Sequence, residues 1–203
     1  NGTERGNIAR LNADGTVDTS FDPGTGFGDS VYALAPQGDG RVLVGGYLSS
    51  YNGTSAPGVV RLNVDGSRDS SFDVGNGSSG YGTRLVVQAD GRVLVSGQFT
   101  TFNGIARQGI VRLQAGGAVD PTFDSATGFP DYGYPSVFAL QRDGKLIAGG
   151  YFSTYAGQSR NRIVRINADG TVDNTFSVGT GFNNSLYALI VQDDGRVVAG
   201  GDI

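Results

Sequence analysis

The stretch Ile8-Ala9-Arg10-Leu11-Asn12-Ala13-Asp14-Gly15-Thr16-Val17-Asp18-Thr19-Ser20-Phe21 returns three times along the chain, as Val59–Phe72, Ile110–Phe123 and Ile163–Phe176. Arg10, Arg61, Arg112 and Arg165 follow one another at 51, 51 and 53 residues, and Phe21, Phe72, Phe123 and Phe176 keep the same spacing. Between these copies runs a second landmark, the turns Asp39-Gly40, Asp90-Gly91, Asp143-Gly144 and Asp194-Gly195. A pair of small residues follows each: Gly45-Gly46, Ser96-Gly97, Gly149-Gly150 and Gly200-Gly201. Landmarks that recur in one phase define a tandem repeat, and repeats of this length are single supersecondary units that cannot bury their apolar faces alone.

Within a unit the sequence predicts four short strands: Val31–Gln37, Arg41–Leu48, Gly58–Asn63 and Ser67–Phe72. All are rich in β-branched and aromatic residues and are bounded by Gly, Asn and Asp. No stretch carries a helical period. The Asn-Ala-Asp-Gly turns at 12–15 and 167–170 read as type I turns closed by a left-handed Gly, the three-residue hairpin with a bulge. That turn sets Leu11 opposite Val17 and Arg10 opposite Asp18. The same arithmetic pairs Arg61 with Asp69, Arg112 with Asp120 and Arg165 with Asp173. A slip of one residue would turn every apolar side chain to the wrong face.

Small antiparallel sheets with two apolar faces are buried by radial stacking, so the expected fold is an all-β propeller of four four-stranded blades. The units are 24–74, 75–125, 126–178, and 179–203 joined to 1–23, in one domain spanning 1–203. The end of the chain, Val197–Ile203, reads as a second strand, and Asn1-Gly2-Thr3 matches Asn52-Gly53-Thr54 just before a third. N-terminal strands are therefore expected to close the last blade. Half of an eight-bladed dimer and an excerpt of a longer array give the same pattern.

Composition narrows the chemistry. The 203 residues include 35 Gly and 6 Pro, carry a net charge of −4, and contain no Cys, His, Met or Trp. Disulfides, thiolate and imidazole metal sites, Cys nucleophiles and His bases are excluded. The acidic balance lacks the footprint of a nucleic-acid binder. No apolar run is long enough for a spanning helix, so membrane insertion is not expected. Among the 15 basic residues only Lys145 is a lysine.

The repeated pattern Arg-Leu-Asn-x-Asp-Gly-x-x-Asp-x-x-Phe is carried here by Arg10–Phe21. With Gln88-Ala89-Asp90-Gly91-Arg92-Val93-Leu94-Val95-Ser96-Gly97 it resembles the delta-60 repeat family, over essentially the whole chain. The third copy departs, with Gln114-Ala115-Gly116-Gly117 in place of Asn-x-Asp-Gly. The resemblance implies a β-propeller within a large bacterial secreted or surface protein and brings no catalytic residues.

The Arg–Asp pairs are expected to be structural. The Asn12-x-Asp14-Gly15-x-x-Asp18 spacing faintly resembles an oxygen-rich Ca²⁺ loop, but the closing Glu is missing and turn chemistry accounts for the residues; no cofactor is expected. Loops on a rigid scaffold are where binding sits. Tyr51, Phe102 and Tyr155 recur on such loops, as surface contacts or as packing between blades. The loop Phe129-Pro130-Asp131-Tyr132-Gly133-Tyr134-Pro135 breaks the repeat, and Phe129, Asp131, Tyr132 and Tyr134 are its binding candidates. These readings point to a non-enzymatic extracellular module, structural, adhesive or binding, whose partner is a glycan or protein at a cell surface, or the chain itself. A polysaccharide-acting enzyme would need two non-repeated carboxylates, for which Asp29 and Asp131 are the loop candidates, and a fibre-forming repeat is the third possibility.

Overall fold

Each Asp-Gly turn reverses the chain in the same way. Gly40 sits at φ 84°, its N–H donates to the Gln37 carbonyl at 3.0 Å, and the Gln37 N–H donates to the Arg41 carbonyl at 2.8 Å. Glycine takes that left-handed geometry without a Cβ penalty, and Gly91, Gly144 and Gly195 repeat it. These reversals pair the first two strands of every repeat.

The computed structural model describes residues 5–130 and 133–203, all strand, turn and loop. The first repeat contains β1 (Val31–Pro36), β2 (Val42–Gly46), the two-residue arms β3 (Ser50–Tyr51) and β4 (Thr54–Ser55), and β5 (Val59–Leu62). The second contains β6 (Tyr81–Val87), β7 (Val93–Gln98), β8 (Thr101–Phe102), β9 (Ile105–Ala106) and β10 (Ile110–Leu113). The third contains β11 (Tyr134–Leu140), β12 (Leu146–Tyr151), β13 (Thr154–Tyr155), β14 (Gln158–Ser159) and β15 (Ile163–Ile166). The last contains β16 (Leu186–Val191) and β17 (Val197–Gly201).

Three antiparallel sheets have the orders β1-β2-β5, β6-β7-β10 and β11-β12-β15, and β16 pairs with β17. The predicted fourth strand survives as a single bridge, Leu11 with Val17, Leu62 with Arg68, Leu113 with Val119 and Ile166 with Val172. It stops there because the Asp69 carboxylate accepts both the N–H and the hydroxyl of Ser71, and the Phe72 N–H turns back to the Asp69 carbonyl. The small hairpins β3-β4, β8-β9 and β13-β14 were not foreseen. Left-handed Asn52, Asn103 and Ala156, each followed by a left-handed Gly, turn them.

Every complete sheet is apolar on both faces, since successive residues of a strand point to opposite sides. Leu43 and Val59 pack on Val93, Val95 and Val111 of the next sheet. Leu94 and Ile110 meet Leu146, Ala148 and Val164, and Ile147 and Ile163 meet Leu186 and Leu189. On its other side the first sheet is covered by Ile8, Phe21 and Phe27. The sheets thus stack in chain order as an array.

The expected closure of the last blade by N-terminal strands is not seen: among the described residues β17 pairs only with β16. The N-terminal segment is held to the first repeat by the contacts each repeat makes to the next, Arg10 Nη1 on the Val64 carbonyl and Asp22 N–H on the Asp65 carbonyl, and by Phe27 N–H on the Gly6 carbonyl. Asn1–Thr3, the match used at the seam, lie outside the described residues.

The small pairs serve close approach. A Cβ on Gly46 would lie 2.3 Å from the Ser30 carbonyl oxygen, and one on Gly45 would press on Leu85 of the next sheet at 3.2 Å. Gly46→Ala should therefore cost about 1–3 kcal/mol in overpacking. Gly38→Ala, with nothing within 4 Å of its Cβ position, should stay within about 0.5 kcal/mol of wild type. Urea unfolding of both variants checks this, and equal effects would contradict the packing account.

Candidate functional site

The charged pairs form the frame on which any site rests. Arg10 Nε meets Asp18 at 2.8 Å, Arg61 meets Asp69 at 2.7 Å, Arg112 meets Asp120 at 2.8 Å and Arg165 meets Asp173 at 2.8 Å. Each guanidinium lies over the ring of the repeat's Phe, at 5.0 Å for Phe21, 4.8 Å for Phe72 and 4.9 Å for Phe123 and Phe176. A second cation from the strand-two turn joins the same carboxylate: Arg41 on Asp69 at 2.6 Å, Arg92 on Asp120 at 3.2 Å and Lys145 on Asp173 at 2.8 Å. Burial alone would raise the Asp120 carboxyl, but the hydroxyl and N–H of Thr122 and the Arg112 guanidinium reverse that and hold it below the usual carboxylate range. These oxygens are saturated by the protein itself.

The turn carboxylates are likewise engaged. Asp14 accepts the N–H and hydroxyl of Thr16 at 2.9 and 2.6 Å, and Asp65 and Asp169 repeat the arrangement. Among the described residues no three acidic groups stand together as a metal site. Asp29 is engaged by the N–H and hydroxyl of Ser49.

Tyr51, Phe102 and Tyr155 are fully buried and offer no surface to a ligand. The Tyr51 and Tyr155 hydroxyls reach inward to the Gly66 and Gly170 carbonyls, each satisfying a buried donor. Burial, with the fields of Asp22 and Asp65, pushes the Tyr51 hydroxyl up to about 12. Phe129 is also buried, its ring 4.7 Å from Phe152 and 4.6 Å from Tyr155. For Tyr51, Phe102 and Tyr155 burial favours the packing reading over the surface one, whereas Phe129, expected as a binding candidate of the irregular loop, is corrected to a packing group. Asp131 and Tyr132 lie outside the described residues. Tyr134 remains half-exposed at the start of β11, in register with Tyr151 at the end of β12.

A residue missed in the sequence completes this end of the third repeat. Gly58 and Gly109 take left-handed backbone at φ 81° and 72°, and at the equivalent place Arg162 takes it at φ 68°. A long side chain there carries strain of about 1–3 kcal/mol. The strain places the Arg162 guanidinium over the Tyr151 ring, 4.4 Å from its centre, while Nη1 donates to the Phe152 carbonyl at 2.8 Å. Its Nε is buried without a partner among the described residues. Tyr151 itself is 63% exposed. The column holds Asn7, Gly58, Gly109 and Arg162, so the signal lies in the left-handed angle they share, Asn7 at φ 61° included.

Beside this surface a cleft of about 510 Å³ opens between the second and third repeats, lined by Ser79, Gln98, Phe99, Thr100, Gln108 and Phe129. The buried Gln108 side-chain carbonyl has no donor among the described residues. The cleft thus combines aromatic walls with amide and hydroxyl groups, and Gly133 on its rim leads directly into Tyr134.

The family described as "Domain of unknown function (DUF5122) beta-propeller" matches residues 1–21, 37–72, 88–123 and 141–176, and the chain belongs to it. A comparison with curated proteins gives no match. Among solved structures, the extracellular domain assigned to a one-component system of B. thetaiotaomicron is 13% identical over 85% of this chain and 20% of that one, with a TM-score of 0.48. The virginiamycin B lyase of Staphylococcus aureus is 18% identical over 83% of this chain and 62% of that one, with a TM-score of 0.39. The chain thus spans a fifth of the first and under two thirds of the second.

The buried pairs set an acid limit on stability. Asp120 has its carboxyl depressed in the folded state, so its contribution is complete above the unfolded value near 4 and is lost as pH falls below it. Asp120→Ala should cost about 3–5 kcal/mol at pH 7, and the gap to wild type should narrow at pH 3. Urea unfolding at both pH values measures it; a gap unchanged by pH would show that the ionised carboxylate is not the stabilising form.

Proposed function

We propose that this member of the β-propeller family is a non-enzymatic extracellular recognition module of a bacterial surface or secreted protein. Its delta-60-type repeats act as four blades, and it binds a glycan at the irregular end of the third repeat. The single observation that carries the reading is Arg162, held in strained left-handed backbone where the other copies use Asn7, Gly58 and Gly109, residues that tolerate it better, and stacked on exposed Tyr151. Strain kept in a repeat that has an unstrained alternative points to a function for the side chain. An exposed ring backed by a guanidinium, beside a cleft with hydroxyl and amide groups, suits a polyhydroxylated ligand: the ring stacks on its apolar face and the polar groups take its hydroxyls. The saturated carboxylates favour binding over hydrolysis, because a glycosidase needs two available carboxyls within reach of one bond.

The test is a glycan array followed by titration calorimetry on the best ligand. Wild type should bind, and Tyr151→Ala should weaken binding about tenfold, equivalent to ~1.4 kcal/mol. Arg162→Gly should weaken it while raising stability by about 1 kcal/mol through relief of backbone strain. No glycan bound, or binding indifferent to both variants, would overturn the reading.

A further inference from the structure

One position recurs at the end of the second strand in three successive sheets: Tyr47 just after β2, Gln98 closing β7 and Tyr151 closing β12. Residues two apart on a strand share a face, so each looks the same way as Gly45, Ser96 or Gly149. A Cβ on Gly45 would meet Leu85 of the second sheet at 3.2 Å, and one on Gly149 would meet Leu189 and Leu186 of the last repeat. Ser96 Oγ donates to the Pro135 carbonyl of the third sheet at 3.2 Å. Tyr47, Gln98 and Tyr151 therefore project toward the following sheet, each over an internal junction of the array.

These side chains do not seal the core. Their chain neighbours Leu48, Phe99 and Phe152 do so and are buried, whereas Tyr47 is 57% exposed and Tyr151 63%. A single exposed ring is ordinary. What sets this pair apart is the shared register and what lies between them: the cleft of the second and third repeats, with the Ser79 and Thr100 hydroxyls and the Gln98 amide in its wall. Among the described residues no side chain lining that cleft is charged. Packed sheets lie about 10 Å apart, so two rings separated by two sheets stand roughly 20 Å from each other. The rings are unequal. Tyr151 has the Arg162 guanidinium against it, while Gly58 holds the equivalent place beside Tyr47.

We propose that the ligand of this rim is a linear, neutral polysaccharide, bound as an extended chain that stacks on both Tyr47 and Tyr151 and crosses the cleft between them. This rests on the glycan reading above and adds to it a second ring, a minimum length and a charge class. The rings take the apolar faces of two separated sugars, and the Gln98 amide with the Ser79 and Thr100 hydroxyls takes the hydroxyls of the sugars between. Once one ring is occupied, contact with the other is intramolecular, so affinity climbs with chain length until both are covered and then levels off. An acidic chain would have to strip water from its carboxylates against a cleft lining that offers no cation.

Titration calorimetry with cello-, xylo- and manno-oligosaccharides, each graded from disaccharide to octasaccharide, tests the proposal, with oligogalacturonates as the acidic counterpart. At least one neutral series should bind about 100-fold more tightly at its long end than as the disaccharide, and the gain should level off once both rings are spanned. Tyr47→Ala should weaken the long chain about tenfold and leave the disaccharide, held at Tyr151, unchanged; Tyr151→Ala should weaken both. Because Tyr47 is exposed, its Ala variant should keep the wild-type Tm, and Tyr47→Phe, which retains the ring, should keep the affinity. A disaccharide that binds through Tyr151 with no gain on lengthening, or a long chain indifferent to Tyr47→Ala, would overturn the extended chain while leaving the glycan reading of the third repeat standing. Oligogalacturonates binding more tightly than every neutral series would overturn the charge class, and no binding by any series would overturn the proposal as a whole.

Discussion

One side chain per repeat joins three levels of this structure. Arg61 holds Asp69 across its hairpin through Nε, Ser71 through Nη2 and the Ala115 carbonyl of the next repeat through Nη1, with Phe72 under its plane. Arginine can do this because its donors project in a fixed planar fork, which a lysine lacks. The hairpin, the ring that seals the sheet and the angle to the next sheet are therefore set together. Lys145 marks the contrast: it stands where one point charge on Asp173 suffices.

This coupling explains why so much of the architecture can be read from the residues. The register of Leu11 on Val17 and the four Arg–Asp pairs follow from a turn whose Gly must be left-handed and from an eight-residue spacing. Repetition multiplies the signal, because an accidental pairing would not recur in phase. The fourth strand was overstated because β-propensity does not register the competing local bonds of Asp69 to Ser71. The two-residue hairpins are too short to generate a period.

The candidate site was legible only in part. An aromatic on a loop reads equally as platform or core, and burial decides: Tyr51 and Tyr155 turn inward because the Gly66 and Gly170 carbonyls can satisfy their hydroxyls. Phe129 sits in the irregular loop yet packs under it, so irregularity of sequence does not imply exposure. Arg162 was overlooked for the opposite reason. Its significance lies in the backbone angle that Gly58 and Gly109 share with it, which is visible once the repeats are aligned by φ rather than by residue type.

The Arg bond from each repeat to the next turn has a mechanical meaning. Neighbouring sheets share side chains, so tension along the chain meets one junction at a time. Each junction that yields frees a unit of about 51 residues, or roughly 170 Å of extended chain. An array built this way would lengthen in equal steps, each backed by its own charged clasp.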